Sequence, residues 1–172
     1  LASRLTAARF TPDRNTRGNL TPQRWTYGPD PSVKIDFLID ETETDDGTWD
    51  RVLHLGDDLA AVRALGLALA FKDSVDHELD GDTLDGAHAR RTLRVCGPAA
   101  FVVLKALAFR NRAARKDAYD LAYVLRNVAD GPEGVVGRLV PFREHPAVQR
   151  AAEILREDFG AERETGPRAA SA

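Results

Sequence analysis

Apolar and polar residues alternate along several short stretches in the first half of the chain. The clearest is residues 33–40, VKIDFLID, in which every second residue from Val33 to Ile39 is apolar. This period of two is typical of a strand whose two faces meet different surroundings. Alternation or a short apolar run also predicts strands at 51–55, 67–71, 75–79 and 92–96.

Helical spacing dominates the second half of the chain. Apolar residues three and four positions apart predict four helices, and Pro98 is suited to the first turn of the first one. These helices are predicted at 99–112, 116–127, 133–140 and 146–159. Two shorter helices are expected earlier, at 1–10 and at 57–65. Asp57 or Asp58 is suited to cap the N-terminus of the second one.

The predicted elements divide the chain into three parts. Strands dominate residues 1–97, helices fill residues 98–159, and residues 160–172 show no periodicity. A segment without an apolar pattern seldom buries enough surface to fold, so we expect the last part to be a disordered tail. The predicted class is α+β, with a β-rich core followed by a helical part.

The composition is typical of a globular protein without a membrane anchor. Of 172 residues, 43% are hydrophobic and 30% are charged, and the formal net charge of -3 gives no general attraction to nucleic acid or membrane. No apolar stretch reaches the ~18 residues that span a bilayer. A single cysteine, Cys96, cannot form an intrachain disulfide, so we expect a cytoplasmic protein. The chain contains no Met and opens on Leu1, so we also expect a fragment whose start is missing.

Asp36 is the first candidate functional residue, because it lies within the apolar run 33–40. It is expected to share a strand face with Leu38, and a carboxylate on a largely buried strand needs a cation, a metal ion or several hydrogen bonds. Pairing with its neighbour Lys34 is the simpler explanation. The functional alternative is that Asp36 binds a metal ion.

A second group of candidates lies where the first two C-terminal helices follow one another. Asp117 and Asp120 are three positions apart and share a helix face, where like charges repel by roughly a few tenths of a kcal/mol. A positive group should therefore lie near them. Either salt bridges fix the two helices, or the cation serves a phosphate chain, for which a lysine ammonium is well suited. The available cations are Lys105, Arg110, Arg112 and Lys116.

Three segments resemble the nucleotidyltransferases of the AbiEii toxin type, which belong to the DNA polymerase β-like superfamily. They are VKIDFL at 33–38, LKALAFR at 104–110 and RKDAYDL at 115–121. The last two are the more specific, because a lysine, an arginine and the sequence Lys-Asp-x-x-Asp-Leu follow one another in the family's order. The resemblance covers about residues 1–130.

The resemblance implies a fold, a substrate and a set of site residues. It implies a nucleotidyltransferase-type mixed β-sheet with a C-terminal helical part, and transfer of a nucleotide from an NTP to a hydroxyl of RNA or protein with Mg²⁺. Asp36 would be a metal ligand and, with Asp120, a catalytic residue. The family further implies a toxin whose protein partner is an antitoxin. The residues that would bind the nucleotide are Lys105, Lys116, Asp117 and Arg110.

One part of the family pattern is missing from this sequence. The family's Gly-rich turn and Asp-x-Asp strand should precede the helix at 1–10, and Asp45-Asp46 lies too late to replace them, in the acidic loop 41–50. We therefore expect an N-terminally truncated core that is inactive by itself. The chain is then a fragment of an active enzyme, or a degenerate member that binds nucleotide or RNA without catalysis, or a structural partner.

The N-terminal part of the chain favours RNA as the acceptor. Its first 34 residues carry six basic side chains against two acidic ones, and Trp25 and Tyr27 lie among them. Basic groups attract phosphates, and exposed rings stack on bases. Either this part of the chain contacts an RNA acceptor, or its basic residues belong to a solvated loop.

Overall fold

The computed structural model describes residues 1–40, 52–56, 58–83 and 85–171. They form a mixed α+β protein, which confirms the predicted class, and they divide into two units, Leu1–Ala64 and Leu65–Ala172. We predicted a boundary between residues 97 and 98, where strands give way to helices. In the structure this change lies within the second unit. No helix in the described part of the chain is both long and apolar enough to cross a membrane.

A three-stranded antiparallel sheet follows a short helix in the N-terminal unit. Helix α1 (Ala2–Ala7) confirms the predicted N-terminal helix. Strands β1 (Phe10–Arg14), β2 (Leu20–Tyr27) and β3 (Asp30–Asp36) pair in the order β1-β2-β3. Their apolar sides and α1 enclose a core of four buried residues, Leu5, Phe10, Trp25 and Tyr27.

A second small sheet in this unit corrects one prediction. Strand β4 (Leu38–Asp40) is parallel to β6 (Ala60–Ala64), which is antiparallel to β5 (Val52–His54). The helix predicted at 57–65 is wrong, because residues 60–64 pair on both sides as the central strand. Their apolar stripe is too short for periodicity to distinguish a helix from a buried strand.

Phe37 divides the strand predicted at 33–40. Its N–H donates to the carbonyl of Gln23, and its own carbonyl accepts from the N–H of Val62. The backbone of Phe37 therefore joins the two sheets of the N-terminal unit. Several predicted features lie outside the described residues: Arg51, Asp57 and the acidic loop 41–50 with Asp45-Asp46.

A short helix and a long β-ribbon begin the second unit. Helix α2 (Leu69–Lys72) occupies most of 67–71, where the predicted strand is wrong. The alternation there does not mark one face, since Leu69 is buried while Phe71 is exposed. Strands β7 (Ser74–Asp82) and β8 (His88–Cys96) pair antiparallel and confirm the strands predicted at 75–79 and 92–96. The described strands thus form three sheets, of which β4-β6-β5 alone mixes parallel and antiparallel pairing.

Among the described residues, five α-helices and a short 3-10 helix, Val140–Phe142, complete the second unit, and four of the α-helices confirm the predicted helical part. Helix α7 lies in the segment 160–172, which we expected to be disordered. Gly166 of α7 is buried against the ring of Phe159, so small residues allow a close contact that no apolar pattern reveals. The helices are α3 (Pro98–Arg112), α4 (Arg115–Asn127), α5 (Gly131–Leu139), α6 (Pro146–Phe159) and α7 (Thr165–Ser171).

Helix α3 is the centre of this unit because it is buried on two sides. One side, with Val103 and Ala106, packs against α2 and α6. The other side, with Ala99 and Val102, packs against Leu121 of α4 and Val135 of α5. A helix that is apolar on most of its surface is expected to be enclosed by others.

Asp73 anchors the N-terminus of α3. Its buried carboxylate accepts a hydrogen bond of 2.8 Å from the N–H of Ala100, and it pairs with the guanidinium of Arg138 on α5. The first N–H groups of a helix lack partners within the helix. Asp73 therefore supplies from a distance the acceptor that a capping side chain usually provides.

Candidate functional site

Lys105 lies on α3 among buried apolar residues and directs its ammonium group toward α4. The side chain is 21% exposed, and its Nζ lies 5.4 Å from the ring centroid of Phe101. Such an arrangement keeps the alkyl stem in apolar contact while the charge reaches the rim of the helix pair. The amine is therefore partly desolvated but accessible.

Asp117 is the buried carboxylate opposite Lys105. Its side chain is 0% exposed, and Oδ1 accepts a hydrogen bond of 3.1 Å from Lys105 Nζ. Arg112 donates two more, from Nε to Oδ2 at 2.6 Å and from Nη2 to Oδ1 at 2.7 Å. A planar guanidinium matches the two oxygens of a carboxylate in this paired geometry. Three donated hydrogen bonds therefore accompany the burial of Asp117.

Asp120 is the second carboxylate, one turn along α4. Its Oδ2 lies 2.6 Å from Lys105 Nζ, and its side chain is 21% exposed. The four charged groups Lys105, Arg112, Asp117 and Asp120, here called the ion-pair cluster, carry two positive and two negative charges. Asp117 is enclosed, whereas the Arg112 side chain is exposed and Lys105 and Asp120 are partly exposed.

The contacts within the cluster favour the charged forms of Lys105, Arg112 and Asp117. Hydrogen bonds from Arg112, and then from Lys105, keep the pKa of Asp117 below its ordinary value, although burial opposes this shift. For Lys105, burial is the largest single influence and lowers the pKa, but hydrogen bonds to Asp120 and Asp117 together outweigh it and raise the pKa. The hydrogen bond to Asp117 likewise raises the pKa of Arg112.

A tight turn brings Arg112 back to Asp117. Only Ala113 and Ala114 separate α3 from α4. Ala113 has a left-handed backbone with φ of 48°, and its N–H donates to the carbonyl of Phe109 at 2.7 Å. A residue in the left-handed conformation commonly ends a helix, and it is usually glycine. Here Ala113 ends α3 in this way.

Two predicted nucleotide-binding residues lie outside the ion-pair cluster. Arg110 donates at 2.8 Å to Asp158 and at 2.8 Å to Glu157, both on α6. These hydrogen bonds raise the pKa of Arg110, and they tie α3 to the end of α6. Lys116 is exposed and forms no ion pair with a described residue. Of the predicted residues in this unit, the structure thus brings together Lys105, Asp117 and Asp120.

Asp36 belongs to the N-terminal unit and has a different environment from the one we expected. Its side chain is 47% exposed and receives two hydrogen bonds from Arg24, at 2.5 and 2.9 Å. Lys34, the expected partner, lies 3.6 Å from Asp13 instead. The buried environment and the Lys34 pair are therefore wrong, because β3 packs its apolar row of Val33 and Ile35 inward and leaves Asp36 on the other face. The role of Asp36 as a metal ligand stays a prediction.

Trp25 and Tyr27 are part of the core, so their predicted stacking on RNA is wrong. Both rings are buried, and the indole N–H of Trp25 donates to the carbonyl of Pro22 at 3.2 Å. Aromatic residues two apart in a strand point to the same face, and in β2 that face is covered. The alternation of β2 is the signal that could have identified these rings as buried.

Three features of the second unit were not identified from the sequence. Arg112 was one of four possible cations, and its sequence position gives no sign that it would hold both oxygens of Asp117. The role of Asp73 depends on contacts with residues far along the chain. Tyr119 and Tyr123 stand four apart on α4, and this spacing could have predicted a pair of neighbouring rings.

The ion-pair cluster carries no net charge, because its two cations pair with its two carboxylates, and by itself it does not form a metal site. Among the described residues, no three His, Cys, Asp or Glu side chains lie together as a metal site would require. Both oxygens of Asp117 already accept hydrogen bonds, and Mg²⁺ needs several oxygen ligands.

Comparison of the chain with protein-family models, with curated proteins and with solved structures returns no match.

Proposed function

We propose that this protein binds the Mg²⁺ complex of an NTP at Lys105 and Asp120 and contributes this site to nucleotidyl transfer to a hydroxyl group of RNA or protein, without catalysing the transfer by itself. The observation that supports the proposal most strongly is the position of the Lys105 ammonium, which is partly desolvated, accessible and held by carboxylates on two sides. A compact cation in such a place suits the phosphate chain of a nucleotide. The resemblance of residues 104–121 to AbiEii-type nucleotidyltransferases adds the class of reaction.

The reaction makes definite demands on the charged groups. The acceptor oxygen forms a bond to the α-phosphorus, the bond from that phosphorus to the pyrophosphate oxygen breaks, and the hydroxyl proton leaves to a base. Negative charge collects on the departing pyrophosphate, and a fixed cation stabilises that charge. In the proposal, Lys105 supplies this cation.

The two carboxylates would have different roles. Asp117 is buried and already saturated by Arg112 and Lys105, so we assign it the positioning of Lys105. Asp120 keeps only one contact with Lys105 and is partly exposed, so we assign it to the side of the cluster that faces substrate. When phosphates bind, the ammonium can exchange Asp120 for phosphate oxygens while Asp117 continues to hold it.

The wider assignments follow from the same resemblance. The mixed sheet β4-β6-β5 would be part of a nucleotidyltransferase-type sheet, and the protein would act as a toxin that an antitoxin protein neutralises. Asp36 does not enter the proposed nucleotide contact, because Arg24 holds both of its oxygens.

A second function is favoured by the charge neutrality of the ion-pair cluster. Two cations and two carboxylates satisfy one another without a ligand, as in a purely structural link between helices. On this alternative the chain is a non-catalytic nucleotide- or RNA-binding module, or a structural partner of another protein.

Calorimetric titration with ATP, CTP, GTP and UTP, each with and without Mg²⁺, tests the proposal. We expect Mg²⁺-dependent binding of at least one NTP, and a loss of about tenfold or more in affinity for Lys105→Ala, since hydrogen bonds to charged groups contribute about 1.5–3 kcal/mol. Lys72→Ala, which removes an exposed lysine of α2, should leave the affinity unchanged. Binding that is absent, or that Lys105→Ala does not weaken, would contradict the proposal.

A further inference from the structure

Two tyrosines form an exposed aromatic pair on α4. Tyr119 and Tyr123 are each 56% exposed, and their rings are nearly parallel, with centroids 6.1 Å apart and an angle of 27° between the planes. Large rings at this degree of exposure lose hydrophobic stabilisation that a core position would provide. Parallel exposed rings offer flat surfaces on which another ring can stack.

Basic residues lie at both ends of the tyrosine pair. Arg115 and Lys116 precede it and Arg126 follows it on α4, and all three are exposed. In contrast to Lys105, Arg110 and Arg112, none of these three forms an ion pair with a described residue.

Helical spacing places the basic and aromatic side chains in one line. Arg115, Tyr119 and Tyr123 are each four positions apart, and Arg126 follows Tyr119 by seven, so they share one side of the helix. From Arg115 to Arg126 the helix rises about 16 Å. We call this line of residues the α4 stripe.

A pocket lies beside the α4 stripe. Its volume is about 240 Å³, and Ala170 of α7 lies at its edge. The side-chain amide nitrogen of Asn127 donates to the carbonyl of Tyr123 at 2.7 Å, which leaves the amide oxygen as an acceptor. The pocket therefore combines aromatic faces, a cation and a hydrogen-bond acceptor. Its lining residues are Tyr119, Ala122, Tyr123, Arg126, Asn127 and Ala170.

We propose that the α4 stripe binds single-stranded nucleic acid, with unpaired bases stacked on Tyr119 and Tyr123 and phosphates held by Arg115 and Arg126. Surfaces that bind single strands combine stacking rings with cations that follow the backbone, and the exposed guanidinium groups of Arg115 and Arg126 provide the charge. Duplexes conceal the base faces, so the rings select an unpaired segment. The inference deepens the proposed function, because the bound strand would then be the acceptor RNA.

The test is fluorescence anisotropy with a labelled single-stranded RNA of about 12 nucleotides, within the range that single-strand binders cover. The double variant Tyr119→Ala/Tyr123→Ala should lose at least about fivefold in affinity, because one stacked base contributes about 1–3 kcal/mol. The matched variant Tyr119→Phe/Tyr123→Phe keeps both rings and should bind as the wild type does. Circular dichroism of each variant shows whether the helices are retained.

Salt dependence tests the cations separately. Arg126→Gln should reduce the slope of log affinity against log salt concentration by about 0.7, the contribution of one phosphate contact to a single strand. A duplex RNA of the same length should bind more weakly than the single strand. Single-stranded DNA of the same sequence should bind no more tightly than RNA; tighter binding of DNA would contradict an RNA acceptor.

Three further results would overturn the inference: no binding of single-stranded RNA, equal affinity in the wild type and the Ala variant, or an equal loss in the Phe variant. NTP titration of the same Tyr119→Ala/Tyr123→Ala variant separates the two proposals. If NTP binding persists while RNA binding does not depend on the rings, the α4 stripe assignment alone fails. If ring-dependent RNA binding persists while no NTP binds, the proposed nucleotide site fails.

Discussion

Arg112 holds both carboxylate oxygens of Asp117, through hydrogen bonds of 2.6 and 2.7 Å. Arg112 is the last residue of α3 and Asp117 lies in the first turns of α4, so this contact closes the turn between the helices. Lys105 reaches the same carboxylate from within α3. Asp117 is therefore the structural anchor that determines where the Lys105 ammonium lies.

The burial of Asp117 predicts a large effect of its removal on stability. In Asp117→Asn, Lys105 and the exposed Arg112 lose a charged acceptor, and a hydrogen bond to a charged group contributes about 1.5–3 kcal/mol. We expect the free energy of unfolding, measured by urea denaturation, to fall by about 2 kcal/mol. Glu153→Gln, which breaks the exposed pair with Arg150, should cost less than about 1 kcal/mol. Similar losses in both variants would contradict the anchoring role.

The lowered pKa of Asp117 predicts a dependence of stability on acid. A carboxyl whose pKa in the folded state lies below its ordinary value of 3.8 stabilises the fold above that value. The contribution is lost as the pH falls through the folded-state pKa. Urea denaturation from about pH 7 to about pH 3 should therefore show a smaller loss of stability in Asp117→Asn than in the wild type. A parallel decline in the two proteins would show that Asp117 does not contribute.

The close approach of Gly97 to Asp73 predicts that a methyl group is not tolerated there. A Cβ on Gly97 would lie 2.6 Å from the carboxylate of Asp73, which caps α3 and pairs with Arg138. The backbone at Gly97, with φ of -72° and ψ of 164°, suits any residue, so the cost comes from the clash alone. We expect Gly97→Ala to lower the melting temperature, at a cost of about 1–3 kcal/mol.

A matched glycine in α5 provides the control for Gly97→Ala. A Cβ on Gly137 would meet nothing within 4 Å, and alanine is the better helix former. Gly137→Ala should therefore raise stability by up to about 1 kcal/mol. Destabilisation by Gly137→Ala would show that the helix there is not as the structure describes it.

The left-handed backbone of Ala113 predicts that glycine is preferred at this position. A residue other than glycine at φ of 48° is strained by its Cβ, at about 1–2 kcal/mol. Ala113→Gly should therefore raise the melting temperature, whereas Ala114→Gly, at an extended residue with φ of -76°, should lower it or leave it unchanged. Thermal unfolding of both variants checks this, and stabilisation by Ala114→Gly alone would contradict it.

The helical part and its ion pairs could be predicted because the responsible signals are local. Regular apolar spacing gave α3, α4, α5 and α6, and repulsion between Asp117 and Asp120 required a nearby cation. Lys105 and Arg112 were among the four cations available. The choice between them and Arg110 depends on the packing of α6, whose Asp158 attracts Arg110, and this is a long-range contact.

The errors of the sequence analysis have a common physical origin in tertiary pairing. Residues 60–64 are a strand because β4 and β5 lie on either side of them, and no local pattern reports that. Asp36 was assigned to a buried environment because the period of two places it on the same strand face as the apolar Leu38. In the structure, Phe37 divides this strand, so Asp36 and Leu38 belong to different strands. Trp25 and Tyr27 were read as exposed because of the basic residues near them, although α1 and β3 cover them.

Chemical labelling of lysines is the measurement that tests the nucleotide site most directly. The chain contains Lys34, Lys72, Lys105 and Lys116, and mass spectrometry follows the acylation rate of each amine. A saturating NTP with Mg²⁺ should slow the modification of Lys105 several-fold, because the amine of Lys105 would contact phosphates. The modification rates of Lys34 and Lys72, whose amines would not contact phosphates, should stay unchanged. If Lys105 is modified at the same rate with and without the nucleotide, the ion-pair cluster is not the nucleotide site.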